Sequence, residues 1–267
     1  MNATMARTLE RGLAELRALT GQAVPSDPVR LAESLGITPD PWQRDVLRST
    51  ATRQLLNCCR QSGKSTTTAI LALHHALYVP GSMTLLASPG LRQSGELFRK
   101  TLACFRRLGR PVPAEAEPRL SLELVNGSRI ISLPGNESTT RGYSAVSLLL
   151  VDEASRVADE MLAALRPMLA VSGGRLIAMS TPFGKRGWWH DAWEDGGPGW
   201  ERVRVDATQC PRISPAFLED ERRSLGDLAY RSEYLCEFCD TDRQVFGSDH
   251  IRAALDDSLA PLFGSAA

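Results

Sequence analysis

The stretch that most constrains this chain runs from Leu55 to Thr68 and reads L-L-N-C-C-R-Q-S-G-K-S-T-T-T. An apolar run gives way to a short loop, and a segment with a helical pattern follows from Thr66 to Tyr78. This order matches the phosphate-binding loop G-x-x-x-x-G-K-[ST], except that Cys58 occupies the first glycine position. Backbone N–H groups of such a loop, with the positive end of the next helix, form a concave anion site.

Three consecutive residues supply the chemistry of this motif. Gly63 lets the backbone approach a phosphate, Lys64 can reach β- and γ-phosphate oxygens, and the Ser65 hydroxyl can ligate Mg²⁺. A motif this short also occurs by chance as a plain turn between a strand and a helix. Composition argues against chance, because the chain holds 31 lysines and arginines, of which only Lys64, Lys100 and Lys185 are lysines. A compact point charge suits the phosphate position better than a bulkier planar guanidinium.

A second motif supports the first. Residues Val146 to Glu153 read V-S-L-L-L-V-D-E, an apolar run ending in two carboxylates, which is typical of a strand buried on both faces of a parallel sheet. Ligands bind at the carboxyl edge of such sheets. Asp152 is suited to hold the water shell of Mg²⁺, and Glu153 to orient and deprotonate an attacking water. The alternative interpretation is a strand that ends in a solvated acidic turn.

Length and charge limit the remaining possibilities. A chain of 267 residues can build one large α/β domain but not two of that kind. Its 31 acidic residues balance 31 basic ones, so any contact with DNA must come from a local patch. No apolar run approaches about 18 residues, and the N-terminus lacks the apolar core of a signal peptide. We therefore expect a soluble, intracellular protein with no membrane partner.

The six cysteines show no spacing typical of a disulfide or zinc framework. Cys236 and Cys239 form a C-x-x-C pair within a helical pattern that covers Ser214 to Phe238 and breaks near Gly226. No second pair follows at zinc-ribbon distance, so we expect small buried thiols here rather than a metal site.

Other stretches leave their roles open. Gln43 begins a helix shortly before the phosphate loop and could pair with the N6 donor and N7 acceptor of adenine, or it could be an exposed helix-start glutamine. The basic helix predicted over residues 91–108 and the aromatic loop at 183–189 could each contact DNA. A solvated helix face and aromatic packing against the core are the alternatives. Residues 111–118 indicate a loop, and Asn126-Gly127 predicts a hairpin.

Taken in order, these pieces resemble the ATPase domain of the large terminase subunit, the motor that packages viral DNA into procapsids. The matching segments are P-W-Q around Gln43, C-R-Q-S-G-K-S from Cys59, A-S-P-G-L-R-Q from Ala87, T-R-G at Arg141, L-L-L-V-D-E-A ending at Ala154, S-T-P at Ser180, and the later Y-R-S-E-Y-L-C-E-F-C and Q-V-F. The likeness spans residues 39 to 247. It implies an α/β P-loop NTPase fold of the RecA/ASCE-like type, in which helices flank a mainly parallel central sheet.

The expected organisation has three parts. An N-terminal helical accessory segment occupies 1–38, with helices at 8–19 and 28–35; the P-loop ATPase domain occupies 39–247, and a tail or linker occupies 248–267. Large terminases continue into an RNase H-like nuclease domain. The residues after Phe246 are too few to build one, so we expect no nuclease activity from this chain.

The resemblance also implies roles for single residues. A cysteine at the position of Cys58 is tolerated in that family's loop, and Arg60 resembles its γ-phosphate-sensing arginine. Arg141 resembles an arginine thought to act in trans on the ATP of a neighbouring subunit, and Thr181 belongs to a segment thought to couple hydrolysis to movement. The candidate catalytic residues are Lys64, Glu153, Arg60 and Arg141, and the candidate magnesium-site residues are Ser65 and Asp152. The candidate ATP-binding residues are Trp42, Gln43, Cys59, Gln61, Ser62, Gly63, Lys64, Ser65, Thr66 and Thr181.

The implied partners are double-stranded DNA, the viral portal protein, the small terminase subunit and further copies of the chain in a ring, typically a pentamer on the portal. The implied location is the cytoplasm of an infected bacterial cell. A helicase-like or other nucleic-acid-dependent P-loop ATPase is the alternative, although such helicases usually need a second RecA-like domain for which the chain has no room. A nucleotide kinase is disfavoured because Glu153 supplies a water-activating base, and a kinase must exclude water.

Overall fold

The computed structural model describes residues 24–133 and 142–240, together with residue 254. Its strands are β1 (Arg53–Cys58), β2 (Met83–Ala87), β3 (Ala114–Ala116), β4 (Ser121–Leu124), β5 (Arg129–Ser132), β6 (Leu148–Asp152), β7 (Arg175–Ser180) and β8 (Glu201–Val205). They form one sheet in the order β3-β4-β5-β2-β6-β7-β1-β8. The strands from β5 to β8 in this order run parallel to their neighbours, whereas β4 runs antiparallel to both β3 and β5. The prediction of a mainly parallel sheet is confirmed.

Helices cover both faces of this sheet. They are α1 (Pro28–Ser34), α2 (Pro41–Arg48), α3 (Lys64–Tyr78), α4 (Leu91–Arg107), α5 (Asp159–Leu165), α6 (Gly187–Glu194), α7 (Pro215–Leu225) and α8 (Asp227–Glu233). None of these described helices combines the length and apolarity needed to cross a lipid bilayer.

The core consists of two apolar clusters separated by the sheet. Adjacent residues of a strand point to opposite faces, and in β6 Leu148 and Leu150 belong to one cluster while Leu149 and Val151 belong to the other. The first cluster is completed mainly by α1 to α4, and the second by α5 and α6. Because both faces are covered, every residue of β6 is buried, as the continuous apolar run predicts.

The hairpin prediction is also confirmed. Strands β4 and β5 pair on either side of Asn126-Gly127, and Gly127 takes a positive φ of 81°. The sequence indicates a loop at 111–118, but this stretch contains β3, which pairs with β4. A three-residue strand at the edge of a sheet leaves almost no periodic pattern in the sequence.

The prediction that Cys236 and Cys239 lie in a helix is wrong. Helices α7 and α8 break at Gly226 as expected, but α8 ends at Glu233. Beyond it the chain bonds to the ends of β1 and β8: Asn57 Nδ2 donates to the Cys236 carbonyl at 3.1 Å, and Cys236 Sγ contacts the Val205 carbonyl at 3.2 Å. These tertiary contacts hold the segment out of the helical conformation, and both thiols are buried.

Several predictions concern other parts of the chain. The helix predicted over 28–35 is confirmed as α1. The helix predicted at 8–19, the residue Arg141, and the tail from 248 onwards, apart from residue 254, lie outside the described residues.

Candidate active site

The phosphate loop joins the end of β1 to the start of α3. Strand β1 lies between β7 and β8, and its last residue, Cys58, is fully buried and pairs with Val205. The first position of the motif is therefore a strand residue whose small side chain fills the core. This placement explains why a glycine is not needed there. The next residue, Cys59, is also buried, and its N–H donates to the Val205 carbonyl at 2.9 Å.

The loop backbone has the conformation of an anion-binding nest. Gln61 and Gly63 adopt positive φ values of 60° and 95°, respectively. Within the described ranges, the N–H groups of residues 61–65 meet no protein acceptor, and the last two belong to the first turn of α3. These free donors and the helix dipole favour a bound phosphate. The φ of Gly63 strains any residue with a side chain, and a Cβ there would also lie 2.6 Å from Gln43 Nε2, so the position favours glycine.

Four predicted residues converge where β6 ends beside this loop. The Ser65 hydroxyl donates to Asp152 Oδ2 at 3.4 Å, and Lys64 Nζ lies 4.0 Å from Glu153 Oε1. The backbone N–H of Glu153 donates to Asp152 Oδ1 at 2.9 Å. Only β7 separates β1 from β6, so the two motifs face each other across one strand. The arrangement places a cation, a hydroxyl and two carboxylates on one edge of the sheet.

The two carboxylates differ in their surroundings. Asp152 is 7% exposed, and burial raises the pKa of its carboxyl group above the ordinary value, with Lys64 acting in the opposite direction. The Glu153 side chain is 32% exposed and reaches the open side of the site. Its backbone is left-handed, with φ of 51°, a conformation that costs about 1–3 kcal/mol for a residue with a side chain. Glu153 is therefore the carboxylate that a water molecule can reach.

A cavity of about 500 Å³ lies over the loop, a volume in the range of small-molecule sites. Eight predicted residues line it: Arg60, Gln61, Gly63, Lys64, Ser65, Thr66, Glu153 and Thr181. The lining also includes four polar residues that were not predicted, namely Gln93, Lys100, Arg156 and Glu233. The rarity of lysine could have identified Lys100, and the A-S-P-G-L-R-Q segment contains Gln93. Glu233 lies in the Y-R-S-E-Y-L-C-E-F-C segment, whereas no sequence signal points to Arg156.

Arg60 lines the cavity but is already paired. Its Nε and Nη2 donate to the Glu233 carboxylate at 2.5 and 3.2 Å, and its backbone N–H donates to the Glu233 carbonyl at 3.3 Å. The end of α8 therefore rests against the phosphate loop. A role for Arg60 as γ-phosphate sensor remains a prediction and would require its guanidinium to leave Glu233.

Gln43 lies beneath the loop and is buried. Its Oε1 accepts from the Asp40 N–H at 2.8 Å, and its Nε2 lies 3.4 Å from the Ser62 carbonyl. Arg212 joins the same group, donating to the Ser62 carbonyl at 2.8 Å and to Asp40 through both terminal nitrogens. Recognition of adenine by Gln43 remains a prediction, as does the contact assigned to the neighbouring Trp42. In this conformation, Gln43 supports the loop.

Thr181 bridges the end of β7 to the phosphate loop. Its Oγ1 donates to the Cys58 carbonyl at 3.1 Å. The Ser155 hydroxyl contacts Ser180 Oγ at 2.7 Å and donates to the Thr181 carbonyl at 2.9 Å. A hydrogen-bonded chain therefore connects the turn after Glu153 to the turn after β7. This geometry is compatible with the predicted coupling role of Thr181, which remains a prediction.

Comparison with solved structures places this fold among terminase ATPase domains. The structure resembles the large terminase ATPase domain of Thermus phage P74-26 with a TM-score of 0.70 at 23% identity, covering 78% of this chain and 97% of that one. It also resembles the large terminase of another thermophilic bacteriophage, solved in complex with ADP, with a TM-score of 0.60 at 13% identity, covering 75% of this chain and 54% of that one. These likenesses confirm the predicted P-loop fold of the ASCE type.

Sequence comparison leads to the same family. The chain is 27% identical over 258 residues to the terminase large subunit of Thermus virus P23-45, covering 83% of this chain and 53% of that protein. It thus spans about half the length of the curated relatives it matches. The family profile described as "Terminase large subunit, T4likevirus-type, N-terminal" matches residues 55–252, which include the phosphate loop, the Asp-Glu strand and α8. The chain therefore belongs to the terminase large subunit family and corresponds to its N-terminal, ATPase part.

Proposed function

We propose that this chain is the ATP-hydrolysing motor domain of a viral DNA-packaging terminase and couples hydrolysis to the translocation of double-stranded DNA into a procapsid. The observation that carries the proposal is the convergence of Lys64, Ser65 and Glu153 on one cavity at the carboxyl edge of the sheet, with the buried Asp152 bonded to the Ser65 hydroxyl beside it. Membership of the terminase family supports the same conclusion.

In the proposed reaction, the N–H groups of the loop hold the β-phosphate, and Lys64 neutralises charge on the β- and γ-phosphate oxygens. Glu153 orients a water molecule and accepts its proton as the water attacks the γ-phosphate; the bond from the γ-phosphorus to the bridging oxygen breaks, and ADP leaves. An arginine stabilises the charge of the transition state, either Arg60 after leaving Glu233 or Arg141 from a neighbouring subunit. The solved complexes of the thermophilic bacteriophage terminase with ADP and with ATP-γ-S support ATP as the nucleotide.

The residues of the site fit a magnesium ion. Asp152 is a buried carboxylate whose pKa is raised mainly by burial, and a nearby divalent cation would offset the cost of ionising it. Ser65 would hold Mg²⁺ through its hydroxyl and Asp152 through water. When bound, the ion neutralises charge on the transferred phosphoryl group.

The wider assembly follows from the family. We propose that copies of the chain form a ring, a pentamer on the viral portal, with double-stranded DNA as substrate and the small terminase subunit as a further partner. The proposed place of action is the cytoplasm of an infected bacterial cell. Residues 1–38, 39–247 and 248–267 are proposed as the accessory segment, the ATPase domain and the tail.

The test is Mg²⁺-dependent ATP hydrolysis as a function of protein concentration, with and without double-stranded DNA. We expect turnover to rise steeply with concentration, because a shared active site requires assembly, and to rise further with DNA. Glu153→Gln is the matched control; it should retain ATP-γ-S binding and lose turnover by roughly 10²–10⁴-fold. Undiminished turnover in this variant would contradict the assignment of Glu153 as the base.

A further inference from the structure

Arg156 is a cavity residue to which the sequence motifs give no role. It ends a 3-10 turn, Ala154–Arg156, that directly follows Glu153, and its backbone N–H donates to the Glu153 carbonyl at 2.9 Å. Residues three apart in such a turn lie on the same side. In agreement, both Glu153 and Arg156 line the cavity above Lys64 and Ser65.

The turn that carries Arg156 is fixed at several points. Ala154 is fully buried, and the Ser155 hydroxyl binds the end of β7 through Ser180 and Thr181. The guanidinium itself packs on an aromatic ring, since Arg156 Cζ lies 3.9 Å from the centroid of Phe183. Cation–π packing of this kind restrains an arginine without occupying its N–H donors.

The cations that line the cavity differ in whether a carboxylate already pairs with them. Arg60 is paired with Glu233, and Lys64 lies next to Glu153. Within the described part of the chain, Arg156 and Lys100 are the lining cations that form no ion pair with a carboxylate, and of these two only Arg156 carries a guanidinium. A planar fork of free donors beside the general base matches the geometry of a phosphoryl group.

We propose that Arg156 contacts the γ-phosphate of ATP from within the same subunit and stabilises it as Glu153 activates the water. This inference rests on the proposed function. It gives the subunit an arginine at the γ-phosphate in cis, independent of whether Arg141 acts across an interface. In this arrangement, Phe183 positions the Arg156 guanidinium. The hydrogen bonds of Ser155 hold the turn in place, and with it the relative positions of Glu153 and Arg156.

The structure supplies a matched control. Arg186 also packs on Phe183, with Cζ 4.8 Å from the ring centroid; like Arg156 it is exposed, but it lies outside the described lining of the cavity. Arg156→Ala and Arg186→Ala therefore remove the same group from the same ring. Only the first removes it from the cavity.

The experiment compares ADP affinity, ATP-γ-S affinity and steady-state turnover, the last with and without double-stranded DNA, for the wild type, both arginine variants and Glu153→Gln. We expect Arg156→Ala to lose affinity for ATP-γ-S at least tenfold, to keep its ADP affinity within about twofold, and to lose roughly 10²–10³-fold in kcat. Arg156→Lys should recover part of the ATP-γ-S affinity, because it restores the charge without the planar fork. Arg186→Ala should match the wild type in all three quantities.

Two results would overturn the inference. One is an unchanged ratio of ATP-γ-S to ADP affinity in Arg156→Ala. The other is an equal loss of DNA-stimulated turnover in both arginine variants with that ratio intact, which would make the pair a DNA-contacting surface. Failure of the proposed function would look different, since neither the wild type nor Glu153→Gln would then bind ATP-γ-S.

Discussion

Gly63 is constrained twice, by its backbone conformation and by its neighbour. Its φ of 95° disfavours any side chain, and a Cβ would also meet Gln43 Nε2 at 2.6 Å. The contact matters because Gln43 and Arg212 both hold the Ser62 carbonyl within the phosphate loop. A side chain at this position would therefore disturb the loop as well as strain it.

We predict that Gly63→Ala lowers the free energy of unfolding by more than the roughly 1 kcal/mol expected from backbone strain alone, and weakens ATP-γ-S binding. Gly81→Ala is the matched control, because Gly81 has a φ of 71° but, among the described residues other than its two chain neighbours, no atom lies within 4 Å of the position that its Cβ would take. Urea unfolding and nucleotide titration measure the two effects. Equal losses in both variants would show that the Gln43 contact is unimportant.

The buried carboxylate predicts a pH dependence. Burial raises the pKa of Asp152 in the folded state, so the charged form destabilises the fold as pH rises through that value. We predict that Asp152→Asn, in EDTA, is more stable than the wild type at pH 7. The difference should shrink as pH falls towards the ordinary aspartate value of 3.8.

Chemical denaturation across this pH range checks the prediction, with Asp195→Asn as a control at an exposed position. Saturating Mg²⁺ and ATP-γ-S should reverse the order of stability, since the ligands bind the wild type better. A variant that is less stable than the wild type at pH 7 in EDTA would contradict the argument.

At the scale of elements, the end of α8 acts on the phosphate loop through one ion pair. Because the Arg60 side chain is 61% exposed, its pair with Glu233 is worth less than about 1 kcal/mol to stability. Its effect on the site is electrostatic, since Glu233 neutralises a cation that faces the cavity.

We predict that Glu233→Gln changes stability little but tightens ATP-γ-S binding more than ADP binding, because it releases the Arg60 charge. Glu237→Gln is the matched control: its carboxylate pairs with Arg231 at 2.7 Å, and neither residue is in the described lining of the cavity. Isothermal titration with both nucleotides measures the difference. Weaker ATP-γ-S binding in Glu233→Gln would contradict the prediction.

Elements with strong local signals were predictable from the sequence. These elements are the phosphate loop, the buried strand that leads to Asp152 and the Asn-Gly hairpin. In each, residues close together in the sequence determine the local conformation, so the sequence pattern predicts it. Arg156 and Glu233 were missed because their roles depend on tertiary placement: one follows a turn pinned by Ser155, and the other comes from a helix 173 residues beyond Arg60. The same reason explains the wrong helix at Cys236, where bonds to Asn57 and Val205 overrode the local pattern.

At the scale of the assembled molecule, the proposed ring can be tested by complementation. We predict that Arg141→Ala and Lys64→Ala proteins, each inactive alone, regain ATPase activity when mixed. One supplies an intact site and the other an intact trans-acting arginine. ATP turnover of the mixture, compared with each variant alone at the same total concentration, provides the measurement. Absence of rescue in assembled rings would assign Arg141 a role within its own subunit.

The long-range bonds of the phosphate loop also determine when it can form during folding. Strand β1 comes early in the chain, but its neighbours β7 and β8 come more than a hundred residues later, and Asn57 donates to a carbonyl 179 residues away. Such non-local contacts fold slowly because the intervening loop must close first. A nascent chain that has not yet reached Cys236 therefore lacks part of the support for its nucleotide loop, and nucleotide binding should develop only after the chain has left the ribosome as far as Cys236.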